Sequence, residues 1–247
     1  MLPRARLRPP SVSQVESDGA WEGSSTWPGV FDEPATVERA WVDLVAERPV
    51  EERRDLQRAL AFACARHADQ TRRGSDTPYW VHLVRVALAL VRWGETDPTL
   101  LQAALFHDVV EDTPTALAEV EAGFGPEVAS LVEWLTWPSR RGESERSYYA
   151  RFQASAPAPA RILKIADRTD NLRSQQALLM RSGPGHAAWA RRYLERTRWQ
   201  VCPNAQDAPS PGRAELFIAM ADLAAAIDDI EPSNSIPDES GRTPAAN

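Results

Sequence analysis

Residues 100–112 read Leu100-Leu-Gln-Ala-Ala-Leu-Phe-His107-Asp108-Val-Val-Glu111-Asp112, an apolar run that turns polar at its end. Asp97-Pro98 just before it supplies a helix N-cap followed by proline at the first helical position, so the run is expected to be a buried helix reaching about Asp112. His107 and Asp108 lie near its end. Burying polar side chains there is costly unless hydrogen bonds or a ligand satisfy them.

Working outward, helical periods recur on both sides of this stretch. Leu56, Leu60, Ala63, Cys64 and His67 repeat at spacings of three and four in a helix expected over about 51–69. Further helices are expected near 81–93, 115–122, 126–135, 147–154, from 159 onward, 186–201 and 213–230. No alternating run bounded by turns predicts a strand. The reading is an all-α bundle of about nine helices spanning 35–230. Residues 1–34 and 231–247, rich in Pro, Ser and Gly, read as a disordered arm and tail.

The 247 residues carry 43% hydrophobic and 26% charged side chains, as in an ordinary globular protein. No apolar run approaches the roughly 18 residues of a spanning helix, and Pro3, Pro9 and Pro10 interrupt the start where a signal-peptide core would lie. The expected location is the cytoplasm, with no membrane partner. The two cysteines, Cys64 and Cys202, form no framework. A net charge of −7 argues against a nucleic-acid binder that relies on diffuse positive charge, but leaves room for a compact anion held by local cations or a metal. Only Lys164 among the 28 basic residues is lysine.

Alone, the His-Asp pair is a weak signal. Three other features stand with it. His82 lies in the apolar stretch TPYWVHLVRVALAL, Glu111 and Asp112 follow His107 and Asp108 by one helical turn, and Asp167 ends the apolar part of RILKIADRTDNLR with Asn171 one turn later. Read singly, His82 is more often a satisfied core histidine than a ligand, and the acids fit a solvated helix end. Taken together, two imidazoles and two carboxylates make a mixed nitrogen and oxygen set suited to Mn²⁺ or Fe²⁺, with Zn²⁺ also accommodated.

Three segments, AFACARHADQTRRGSDTPYWVHLVRVA, LLQAALFHDVVEDTPTALAEVEAGFGPEVASLVEWLT and ARILKIADRTDNLR, resemble in order the HD-domain hydrolases of the RelA/SpoT homologue family. The likeness is greatest to the short, single-domain small alarmone hydrolases, the Mesh1-like proteins. It implies that His82, His107, Asp108 and Asp167 ligate a divalent metal, most simply Mn²⁺, and that Glu111 and Asp112 position or activate the attacking water. It also implies that Arg73, Ser75, Lys164, Asn171 and Ser174 contact a nucleotide substrate.

Two departures stand out. Leu83 replaces a proline that often follows the first ligand histidine, and Thr169-Asp170 replaces an apolar-histidine pair, which is expected to add negative charge near the substrate path. The implied reaction is hydrolysis of the 3′-pyrophosphate of (p)ppGpp. No segment of these 247 residues resembles the family's synthetase domain, so synthesis is not expected of them. A phosphohydrolase acting on another nucleotide such as NADPH, and a nucleotide sensor without turnover, are the rivals.

Overall fold

The computed structural model describes residues 34–137 and 142–230, so the expected tail and all of the expected arm but Pro34 lie outside the described residues. Among the described residues there are eleven α-helices and no named strand. They are α1 Pro34–Ala46, α2 Val50–Arg66, α3 Trp80–Arg92, α4 Pro98–Phe106, α5 Val109–Asp112, α6 Leu117–Phe124, α7 Pro126–Leu135, α8 Glu145–Ser155, α9 Ala158–Ser182, α10 Pro184–Gln200 and α11 Ser210–Ile230. A 3₁₀ turn, Cys202–Asp207, joins the last two.

Two helices beyond the expected nine have separate causes. α1 precedes the first strong period and buries Val37, Trp41 and Val45 against α2 and α3. The other comes from a break in the helix expected to run unbroken to Asp112. His107 Nδ1 lies 2.7 Å from the Ala104 carbonyl oxygen, the acceptor that a continuous helix would offer to the Asp108 N–H. The ladder pauses at Asp108 (φ −105°, ψ −5°) and restarts when the Asp112 N–H donates to Asp108 O at 2.8 Å.

Helix starts follow local chemistry. Asp97 accepts from the Thr99 N–H at 2.7 Å with Pro98 beside it, and Ser144 accepts from the Ser147 N–H at 3.1 Å. α9 is the central post, packed by α3, α4, α7, α10 and α11. Phe62, Phe106 and Phe124 from α2, α4 and α6 meet with ring centroids 4.5–5.6 Å apart, pinning α4 one residue before His107. Each such pair adds about 0.5–1.5 kcal/mol beyond burial. Cys64 is buried in α2, where burial pushes its thiol up to about 12.

No helix among the described residues is long and apolar enough to cross a membrane.

Candidate active site

Three stations meet at one point: the buried His82 on α3, the buried His107 with the half-buried Asp108 at the α4–α5 break, and the buried Asp167 on α9. His82 Nε2 and His107 Nε2 are 3.1 Å apart. Asp108 Oδ2 is 3.0 Å from His107 Nε2 and 3.6 Å from His82 Nε2, while Asp167 Oδ1 is 3.6 and 3.4 Å from the same two atoms. Donors each about 2.1 Å from one ion stand about 3.0–3.4 Å from one another at octahedral or tetrahedral angles, close to these spacings.

The hydrogen bonding behind the rings fits a cation as well. His82 Nδ1 is 2.7 Å from Asp170 Oδ2, and His107 Nδ1 faces the Ala104 carbonyl. An acceptor keeps a ring proton on the nitrogen that faces it, so in each ring Nε2 is the nitrogen left to offer a lone pair to an ion. Two lone pairs at 3.1 Å, flanked by two carboxylates, repel unless positive charge lies between them. Burial alone would pull the His107 imidazole down, but Asp108 and Asp167 hold it well above its ordinary value. The Asp167 carboxyl, which burial would raise, is held well below the usual range by Lys164 and the two imidazoles.

The carboxylate ligands are themselves steered. Tyr79 donates to Asp108 Oδ2 at 2.6 Å. Asn171 Nδ2 donates to Asp167 Oδ1, and Lys164 Nζ lies 3.0 Å from Asp167 Oδ2. Glu111 and Asp112 sit one turn beyond the break. Glu111 Oε2 accepts from the Trp137 N–H at 3.0 Å, and burial raises its carboxyl against the opposing pull of Lys164. Burial and the neighbouring Asp108 raise Asp112 too.

Beside the cluster lies a cavity of about 650 Å³. Its lining includes Arg72, Arg73, Ser75, Tyr79, Glu111, Asp112, Asn171 and Ser174, together with Arg181, Trp189 and Tyr193. The structure therefore brings four of the five sequence-derived substrate contacts to one cavity. Lys164 is not among the lining residues and instead pairs with Asp167. Arg72 Nη2 donates to Asn171 Oδ1 at 2.6 Å and to Ser174 Oγ at 3.3 Å, while Arg73 lies over the Trp189 ring at 4.5 Å. Gly74 makes this turn feasible. Its φ is +68°, and an added Cβ would stand 2.5 Å from Leu178 Cδ1.

A family model described as HD domain matches residues 59–184, just over half of the chain. The chain belongs to the HD domain family. It is 43% identical over 121 residues to human guanosine-3′,5′-bis(diphosphate) 3′-pyrophosphohydrolase MESH1, a match covering 48% of this chain and 68% of that protein. The Drosophila melanogaster protein of the same name is 39% identical over 123 residues, covering 47% and 67%. The guanosine-3′,5′-bis(diphosphate) 3′-pyrophosphohydrolase of Aquifex aeolicus is 38% identical over 124 residues, covering 49% of this chain but only 18% of the Aquifex protein. The chain thus spans about two thirds of its MESH1 relatives and under a fifth of the Aquifex one.

The HD-domain cluster, with His82, His107 and Asp108 donor atoms all within 4.8 Å of one another, is suited to a divalent metal ion. Sequence reasoning passed over Arg72, Tyr79 and Arg85, and it set Asp170 near the substrate path. In the structure Asp170 is 1% exposed and turned onto His82 and Arg85, because it shares with Asp167 the α9 face that packs on α3. A signal for Arg85 was present: a guanidinium in VHLVRVALAL is as costly to bury as His107 in its own run.

Proposed function

We propose that this HD-domain chain hydrolyses the 3′-pyrophosphate of (p)ppGpp, yielding GDP or GTP and pyrophosphate, with Mn²⁺ held by His82, His107, Asp108 and Asp167. The unit carrying the reaction is residues 35–230, working in the cytoplasm. One observation carries the reading: the convergent imidazoles and carboxylates adjoin a cavity whose lining combines the two acids with Arg72, Arg73, Asn171 and Ser174. Those arginines answer the charge question, since a chain of net charge −7 still offers local cations to a polyanion. The activity for which the MESH1 relatives are named supports the substrate.

When bound, the divalent ion supplies a Lewis acid that polarises a phosphoryl oxygen and acidifies water. The chain's own residues do the rest. Arg72 and Arg73 offer charge-assisted bonds to the nucleotide, and Ser75, Asn171 and Ser174 orient it. Glu111, anchored by the Trp137 N–H, accepts a proton from the attacking water. Water oxygen bonds to phosphorus as the P–O3′ bond breaks, and Glu111 or Asp112 returns the proton to the departing 3′ oxygen. Both acids have raised proton affinity in the fold, which suits a group that must take up a proton and give it back.

The test is product identification. Mn²⁺-loaded protein is incubated separately with ppGpp and with NADPH. GDP and pyrophosphate from the first, with little turnover of the second, agree with the proposal. Orthophosphate released from NADPH with ppGpp untouched would replace the substrate, and tight ppGpp binding without turnover under Mn²⁺, Fe²⁺ or Zn²⁺ would make the chain a sensor.

A further inference from the structure

α3 carries two buried polar side chains one turn apart, His82 at 0% and Arg85 at 2% exposure. Both meet one carboxylate. Asp170 Oδ2 is 2.7 Å from His82 Nδ1, while Arg85 Nε donates to Oδ1 at 2.6 Å and Arg85 Nη2 to Oδ2 at 2.9 Å. We infer that Asp170, charge-balanced by Arg85, is the positioning residue that makes His82 a metal ligand, holding the ring proton on Nδ1 so that Nε2 stays bare towards His107, Asp108 and Asp167. The inference rests on His82 being a ligand, as proposed above, and not on which nucleotide is hydrolysed.

The geometry favours this role over a plain structural ion pair. A two-point bond to Arg85 already neutralises Asp170, so a purely structural pair has no need to place Oδ2 against an imidazole as well. Stability alone also gives little reason to keep such a pair, because a buried ion pair is commonly no better than apolar residues of the same volume. An outer partner of a ligating histidine, by contrast, typically changes metal affinity about tenfold to a hundredfold. The resembling family often carries histidine at this position, so the carboxylate is a feature of this chain. Arg85 also lines the cavity, which puts one end of the Arg85–Asp170–His82 chain beside the substrate space and the other at the metal cluster.

The experiment is a calorimetric titration of Mn²⁺, without substrate, into wild type, Asp170→Asn and the double variant Asp170→Asn/Arg85→Met, with melting curves for each. An asparagine amide facing Nδ1 can donate to it and drive the ring proton to Nε2, the fault known for the equivalent change in a catalytic triad. Asp170→Asn is therefore expected to bind Mn²⁺ about tenfold to a hundredfold more weakly. The double variant, which also removes the guanidinium that balanced the carboxylate, should regain melting temperature but not Mn²⁺ affinity. Affinity within twofold of wild type in either variant overturns the inference.

A second readout needs no variant. Long-range ¹H–¹⁵N correlation of the metal-free wild type is expected to show the His82 proton on Nδ1, and a proton on Nε2 alone would equally overturn it. A wild type that takes up no Mn²⁺ would instead sink the metal site itself, so the two failures are distinct.

Discussion

Tyr79 donates its hydroxyl proton to Asp108 Oδ2 at 2.6 Å, and its hydroxyl oxygen also lies 3.1 Å from Asp112 Oδ2. One phenol thus spans a metal-site carboxylate and one of the two acids beyond it. Its ring stacks on His67 with centroids 4.7 Å apart, His67 Nδ1 meets Gln70 at 2.7 Å, and Gln70 Nε2 donates to Asp112 O at 2.8 Å. This ring of contacts ties the α4–α5 break to the turn before α3. Tyr79→Phe keeps the stack and loses the bond, so Mn²⁺ affinity should fall by about tenfold with the fold intact. Calorimetry reads this directly; unchanged affinity would mean that the backbone alone fixes Asp108.

Glu111→Gln keeps shape and hydrogen-bonding capacity while removing a base. Metal content and ppGpp affinity should persist, and turnover should drop about a hundredfold or more, the range for a general acid or base. Loss of the metal in this variant would make Glu111 a ligand. Unchanged turnover would hand the proton to Asp112.

The raised His107 imidazole sets the sign of a pH effect. In metal-free protein its bound proton stabilises the fold fully at pH below the ordinary histidine value, and that contribution is lost as pH rises through the raised one. The melting temperature of metal-free protein should accordingly fall across that window. The metal needs the same nitrogen bare, so below the raised value Mn²⁺ affinity should weaken by about tenfold per pH unit, with about one proton released per ion. Titrations in buffers of differing ionisation enthalpy count that proton, and an affinity flat with pH would contradict the prediction.

Arg72 bonds Asn171 and Ser174 within the cavity wall and lies 5.4 Å from the Tyr79 ring centroid. Arg72→Gln removes a charged donor worth about 1.5–3 kcal/mol, so KM for the nucleotide should rise about tenfold to a hundredfold. Metal content should not change, and steady-state kinetics on metal-matched samples would separate the two.

Much of this was written in the spacing of residues. The helical periods placed most of the bundle, and the recurrence of costly polar side chains in apolar runs pointed to His82, His107, Asp108 and Asp167. The break at Asp108 was not legible, because it depends on an imidazole taking a backbone acceptor three residues earlier. Arg73 comes from the resemblance, whereas Arg72 was not legible, because its reach to Asn171 and Ser174 depends on a turn whose path includes Gly74 at positive φ. Asp170 was set near the substrate path although it lies three residues after Asp167 on a helix, a spacing that places both on one face. Trp189 and Tyr193 enter the cavity from α10, beyond the matched HD-domain segment.

The most direct test of the central claim measures metal content and ppGpp turnover on the same samples of wild type, His107→Ala and Asp108→Ala. The account predicts about one divalent ion per chain and active hydrolysis in wild type. Both variants should keep their helical circular dichroism and lose ion and activity together, since a mixed site deprived of one donor leaves buried carboxylates unpaired. Full metal occupancy in either variant, or turnover that survives without the ion, would contradict it.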